Sequence, residues 1–221
     1  MNPSVQTRRR LPHIYQQDQP IFLTWRLRFS LPHDTLVRLA QLKKEYDEQV
    51  SKLSGEYRKM QSYLNHKRLF GWLDEQFGRI DAPILRLDTK PLANIISDIL
   101  MRDHEKLYML CAYCVMPNHV HVLFTPFAEQ YDISVSASGI IKTWKGASSR
   151  LINQSLGRTG SLWETECYDH YARSEEEKNR IIQYIIDNPA KAGLVNSWSD
   201  WPYTWLEPKT YGYLNARPQT G

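Results

Sequence analysis

The 221-residue sequence predicts an α+β fold, a four-stranded antiparallel sheet of βαββαβ order followed by one more helix. Three observations carry that reading. Two apolar runs, 107–115 and 119–125, flank the tight turn Met116-Pro117-Asn118 and read as a β-hairpin. Residues 21–29 (IFLTWRLRF) and 162–172 supply a strand before and a strand after it. Helical periodicity occupies the long intervals on either side of the hairpin.

In chain order, 21–29 alternates and is rich in β-formers, and Leu31-Pro32-His33-Asp34 ends it. From Thr35 to about Leu64, charged residues with spaced apolar ones indicate one long helix or two, with Gly55 as the candidate break. Residues 68–77 continue helically, 78–90 look irregular, and 91–104 read as a helix with Pro91 near its start. The stretch 35–104 is thus a helical insertion inside one domain spanning 1–221, since no Gly/Ser/Pro linker or repeat divides the chain. An amphipathic helix over 134–156 is stopped between Gly157 and Gly160. Ser174-Glu175-Glu176-Glu177 has the S-x-x-E form of a capping box. The helix it opens is expected to end at Asn188, because Pro189 disfavours continuation. The tail, 198–221, is rich in Trp, Tyr and Pro and is expected to pack as an irregular arm.

A hydrophobic content of 42% is ample for a packed core. No apolar run nears the roughly 20 residues that span a membrane. Residues 1–10 are polar and lack the apolar segment of a secretory signal, which makes the expected location cytoplasmic. Cys111 and Cys114 form a C-x-x-C. On a regular strand, residues three apart face opposite sides, so the pair reads as two separate buried thiols rather than a metal or redox pair. The net charge is only +4, but its distribution is uneven. Residues 133–163 contain no Asp or Glu and carry Lys142, Lys145, Arg150 and Arg158. Such a stretch suits a polyanion and equally suits a solvated helix face. Arg8, Arg9 and Arg10 form a second basic cluster. Seven Trp and thirteen Tyr include candidates for stacking on unpaired bases, Trp144 among them, although core packing is the commoner use.

Two constellations carry chemistry. His119 and His121 are two apart on a strand, so their imidazoles share a face while Val120 points the other way. That geometry suits two metal ligands, but taken alone the pattern more often belongs to packed core histidines. Two imidazoles fit zinc or manganese, whereas phosphate chemistry favours magnesium. Tyr184 and Asn188 lie four apart on the last helix and stack on one face. A tyrosine beside an amide oxygen can combine nucleophile and ligand, although a tyrosine among Ile181, Ile182, Ile185 and Ile186 is, taken alone, usually core. His170 is a lone histidine in the fourth strand, which more often serves structure.

The motifs Tyr113-Cys-Val-Met-Pro-Asn-His-Val-His-Val-Leu123, Gly160-Ser-Leu-Trp-Glu164, Tyr168-Asp-His170, Tyr184-Ile-Ile-Asp-Asn-Pro189 and Lys191-Ala-Gly-Leu-Val195 occur in that order. Together they resemble the Y1 transposases of the IS200/IS605 type, and more closely the REP-associated tyrosine transposases, over about residues 15–205. The resemblance implies a ferredoxin-like sheet with the nucleophile on a following helix. It implies that His119 and His121 are the histidine–hydrophobic–histidine metal pair, Tyr184 the nucleophile and Asn188 the polar ligand one turn later. It further implies a metal-dependent single-stranded DNA endonuclease and strand transferase that forms a 5′-phosphotyrosine on REP-type hairpins. The implied cofactor is Mg²⁺, with Mn²⁺ able to substitute, and a monomer is favoured over a homodimer. Lys142, Lys145, Arg150 and Arg8 to Arg10 are then the candidates for DNA contact. One departure is the long charged segment 43–84, either scaffold or an added contact surface. The competing readings are a catalytically silent hairpin-binding protein and a zinc hydrolase. The latter lacks an H-E-x-x-H helix.

Overall fold

The structure is a computed structural model and describes residues 19–78, 85–127 and 136–210. Its strands are β1 (Ile21–Arg26), β2 (Tyr108–Val115), β3 (His119–Pro126), β4 (Tyr168–Tyr171) and β5 (Thr204–Leu206). Its helices are α1 (His33–Ser51), α2 (Gly55–Gly78), α3 (Lys90–Met101), α4 (Ala137–Ser155) and α5 (Glu175–Lys191). The sheet order is β4-β1-β3-β2-β5, with every neighbouring pair antiparallel. The first four strands have the ferredoxin-like arrangement that the βαββαβ order implies.

Several elements differ from their sequence expectation, each for a local reason. The fourth strand shrinks to four residues, because Trp163 bridges Leu27 and Glu164 donates to the Arg26 carbonyl instead of extending the ladder. The tail is not wholly irregular, since Thr204–Leu206 adds a fifth strand against β2. Helix α5 continues through Pro189 to Lys191. Proline removes one amide donor, but this is the last turn, and the Ala192 and Leu194 amides close it on the Asn188 and Pro189 carbonyls. Gly55, with φ +57°, separates α1 from α2, so the early helical segment is a hairpin of two helices. Cys111 sits at a β-bulge between Leu110 and Ala112, which turns it to the same face as Cys114. Both thiols are free and buried, and burial pushes Cys114 up to about 12.

The sheet is covered on both faces. Ile21, Leu23, Trp25, Val120, Val122 and Phe124 pack against α3 and α4 on one side. Phe22, Cys114, Met116 and Leu123 meet Ile181, Ile182 and Ile185 of α5 on the other, where Phe70 of α2 also packs. α3 therefore holds the place of the first crossover helix, and the α1–α2 hairpin is inserted ahead of it to cover part of the α5 face. Among the described residues no helix is long and apolar enough to cross a membrane.

Glu177 ties α2 to that face. Its carboxylate accepts from Tyr63 Oη (3.2 Å) and Lys67 Nζ (3.0 Å) of α2 and meets His170 Nε2 of β4 at 2.9 Å. The cap it belongs to is half of a capping box. Ser174 Oγ accepts the Glu177 amide, but the Glu177 carboxylate takes the Arg173 amide instead of the Ser174 amide. Burial raises the Glu177 carboxyl, but these donors outweigh it and bring it to about 2. A depressed carboxyl stabilises the fold fully above its ordinary 4.5 and loses that contribution as pH falls to about 2. Burial also lowers the pKa of His170, so acid that charges it adds a loss beginning below about 6.5. Glu177→Ala is expected to cost about 2 kcal/mol at pH 7. In denaturant melts the gap between variant and wild type should close as pH is lowered from 5 toward 2.

Candidate active site

β3 is paired on both edges, so its side chains alternate strictly between the two faces. Thr24 and Cys114 lie opposite His121, and Arg26 lies opposite His119. With Val120 and Val122 in the larger core, His119 and His121 face α5 and α2 and are 1% and 0% exposed. Their Nε2 atoms converge at 2.9 Å. Each far nitrogen is held. His119 Nδ1 meets Asn118 Oδ1 at 2.5 Å, and His121 Nδ1 meets Thr24 Oγ1 at 2.7 Å. Asn118 Nδ2 donates to the Phe77 carbonyl at 3.1 Å, which fixes the amide with its oxygen toward His119. An amide oxygen only accepts, so His119 carries its proton on Nδ1 and presents a bare Nε2 lone pair. Burial, aided by the neighbouring His121, holds His119 well below its ordinary value, and the opposing pull of Asp74 is smaller. Its imidazole is therefore neutral, the form that binds a metal.

A third donor comes from α2. Asp74 Oδ1 lies 3.4 Å from His121 Nε2, and ligand atoms of Asp74, His119 and His121 all lie within 4.8 Å of one another. Burial pushes the Asp74 carboxyl up, but the neighbouring His121, with His119 and Tyr184 adding, leaves it below the usual range.

Tyr184 approaches from α5. Its ring meets His121 edge to face at 5.4 Å and is flanked by Phe22 and Phe70 at 5.8 and 6.0 Å. The Lys191 ammonium lies 5.3 Å from the ring centre. Burial raises the pKa of the phenol, and the Asp74 charge raises it further, while Asn188 acts in the opposite sense. Asn188 is buried one turn beyond Tyr184. Among the described residues, five buried side-chain polar atoms lack a hydrogen-bond partner, and three of them are Asp74 Oδ1, Tyr184 Oη and Asn188 Nδ2. Folded proteins leave few such atoms, so two of them on residues beside the histidine pair and a third one turn along α5 mark a place built for a ligand.

The structure thus brings His119, His121 and Tyr184 together, with Asn188 one turn from Tyr184. It does not bring the candidate DNA contacts to them. Lys142 and Arg150 are exposed on α4, across the sheet from the histidines. Lys145 donates to the Glu164 and Thr165 carbonyls at 2.7 and 3.1 Å. Trp144 is core, with Nε1 donating to Tyr108 Oη. His170 is bound to Glu177. Arg8, Arg9 and Arg10 lie outside the described residues. Sequence reasoning missed Asp74, Asn118 and Thr24. For Asp74 a signal existed, since it sits between Phe70 and Phe77 at helical spacing, an acid on an apolar stripe.

Residues 85–188 match the family model described as IS200-like transposase. A putative REP-associated tyrosine transposase of Haemophilus influenzae is 27% identical over 99 residues, 42% of this chain and 56% of that protein. The REP-associated tyrosine transposase of Escherichia coli K12 is 24% identical over 106 residues, 48% of this chain and 59% of that protein. The chain thus spans less than two thirds of the length of these curated relatives. A solved REP-associated tyrosine transposase bound to a REP hairpin shares the fold, with a TM-score of 0.53 at 17% identity over 94% of this chain and 85% of that one. The matched segment holds both histidines, Tyr184 and Asn188 but not the α1–α2 hairpin, and it is this part of the chain that resembles the IS200-like transposases and, among them, the REP-associated tyrosine transposases.

Proposed function

We propose that this protein is a metal-dependent transesterase that cuts and rejoins single-stranded DNA through a phosphotyrosine at Tyr184, acting in the cytoplasm on REP-type hairpins. The observation that carries the reading is the buried, unpartnered Tyr184 hydroxyl on the same face as the paired Nε2 atoms of His119 and His121. The hairpin substrate rests on the relatives' names and on the hairpin-bound structure that shares the fold.

In this mechanism Tyr184 Oη attacks the scissile phosphorus and the P–O3′ bond breaks. The 5′ side stays joined to the tyrosine, and the released 3′-oxygen takes up a proton to replace the one lost from the phenol. One phosphodiester replaces another, so the reverse attack by a 3′-hydroxyl reseals the strand without ATP. A phenol at its ordinary pKa of about 10 needs about 4 kcal/mol to ionise at pH 7. Burial and the Asp74 charge increase that cost here. The donor set fits a divalent cation: the oriented Nε2 lone pair of neutral His119, the adjacent Nε2 of His121 and the carboxamide of Asn188, whose oxygen is the ligating atom. We assign the metal to His119, His121 and Asn188, with Mg²⁺ as cofactor and Mn²⁺ as substitute. When bound, such a cation polarises the scissile phosphate and offsets the ionisation cost. Asn118 and Thr24 hold the imidazoles in orientation, and the aromatic wall of Phe22 and Phe70 keeps the tyrosine ring edge-on to His121. We propose a monomer as the working unit, with Lys142 and Arg150 as outlying backbone contacts.

Incubation of the protein with a labelled hairpin and Mn²⁺ should give a denaturant-resistant adduct. Tyr184→Phe should abolish both adduct and cleavage while leaving hairpin affinity within about twofold. Cleavage by that variant would sink the assignment, and absence of adduct from the wild type would favour a silent hairpin-binding protein. Asn118→Ala frees the His119 ring and should weaken Mn²⁺ binding by about 10- to 100-fold, read by calorimetric titration.

A further inference from the structure

We propose that Asp74 is an additional metal ligand, supplied by the inserted α1–α2 hairpin, so that cation binding clasps this hairpin to the catalytic face of the sheet. This rests on the metal reading of the histidine pair and adds to it a ligand from outside the family-matched segment, 85–188. Three observations support it. Asp74 Oδ1 is buried and lacks a hydrogen-bond partner, although the His121 Nε2 atom lies 3.4 Å away. The separations of 2.9 Å between the two Nε2 atoms and 3.4 Å from Oδ1 to His121 are those of neighbouring ligands around one cation bound at about 2 Å. The position is enforced by packing. Phe70, one turn before Asp74, stacks on Tyr168 at 3.8 Å, and Phe77, one turn after, lies 4.9 Å from the His119 ring. The Phe77 carbonyl holds Asn118, so the turn of helix that places the carboxylate also orients the first histidine.

A carboxylate among imidazoles shifts the site toward hard, oxygen-preferring cations. It also joins two parts of the chain that are far apart in sequence. Elsewhere α2 meets the sheet through aromatic packing, the His66 Nε2 contact to the Asp169 carbonyl and the Glu177 cluster, so a cation at Asp74 fastens the opposite end of α2 from Tyr63 and Lys67.

The test is Mn²⁺ binding to the full chain, by calorimetric titration and by the Mn²⁺-induced rise in Tm, for wild type, Asp74→Asn, Asp74→Ala and His121→Ala. Wild type should bind one Mn²⁺. The Asp74 variants should bind at least tenfold more weakly and show a smaller rise in Tm, and His121→Ala should lose binding. A merely structural carboxylate would lower Tm with and without Mn²⁺ and leave the rise unchanged, which overturns the proposal. Unchanged affinity in the Asp74 variants beside loss in His121→Ala overturns it alone. No binding by wild type removes the metal reading and this inference with it. Should neither Asp74 variant fold, hydrogen exchange of the wild type decides. Mn²⁺ should slow amide exchange around Asp74 in α2, and no slowing there upon binding overturns the proposal.

Discussion

β3 is hydrogen-bonded along both edges, to β1 and to β2, and neither partner can slip without the other. A slip of one residue would send every one of its side chains to the wrong face. Val120, Val122 and Phe124 anchor one face in the larger core beneath α3 and α4. Their burial, worth about 1.5–3 kcal/mol each, is what holds two polar imidazoles on the other face, in surroundings as dry as the core itself. The rest of the site is arranged around that fixed pair. Thr24 reaches His121 because it lies opposite it in the β1 ladder, and Asn118 reaches His119 because the turn ends there.

Burying two imidazoles, a carboxylate and a phenol together is costly unless something satisfies them. The second nitrogens of the histidines are satisfied by the protein, while the Asp74 oxygen, the Tyr184 hydroxyl and the Asn188 amide nitrogen are not. The fold supports this deficit from two sides. α5 is held by the isoleucines at 181, 182 and 185, and α2 by Phe70 and by the Glu177 cluster at the far end of the same face. The site is thus a local concentration of unmet polar demand inside a well-packed frame, which is how binding sites differ from cores.

Much of this was legible in the sequence, and the reasons differ by element. Strand periodicity placed both histidines on one face, and helical spacing placed Asn188 one turn from Tyr184, because both patterns are local. The sheet order followed from the succession of elements. What escaped were features set by contacts distant in the chain. The bulge at Cys111 has no local marker and reverses the facing argument for the C-x-x-C. Pro189 stays helical because the following amides close the turn on carbonyls that still have room. Asp74 is 45 residues from His119 and joins it only because a hairpin not needed by the sheet folds back over it. The basic stretch on α4 shows the converse, since its charge is plain in the sequence but its place across the sheet from the histidines is not.

The short strand β5 has a bearing on how the chain is made. It lies against the outer edge of β2, where the Val115 amide donates to the Tyr203 carbonyl and Trp201 Nε1 to the Val115 carbonyl. Trp205 stacks on Tyr113 at 5.8 Å over the same edge. Synthesis runs from the N-terminus, so β2 and β3 leave the ribosome about 80 residues before the segment that shields them. During that interval an apolar strand has an open ladder of amides and carbonyls, the kind of edge that recruits other chains. The last strand is therefore a late seal on the sheet, and the nascent chain is most exposed to aggregation while α5 is already out and the closing strand is not.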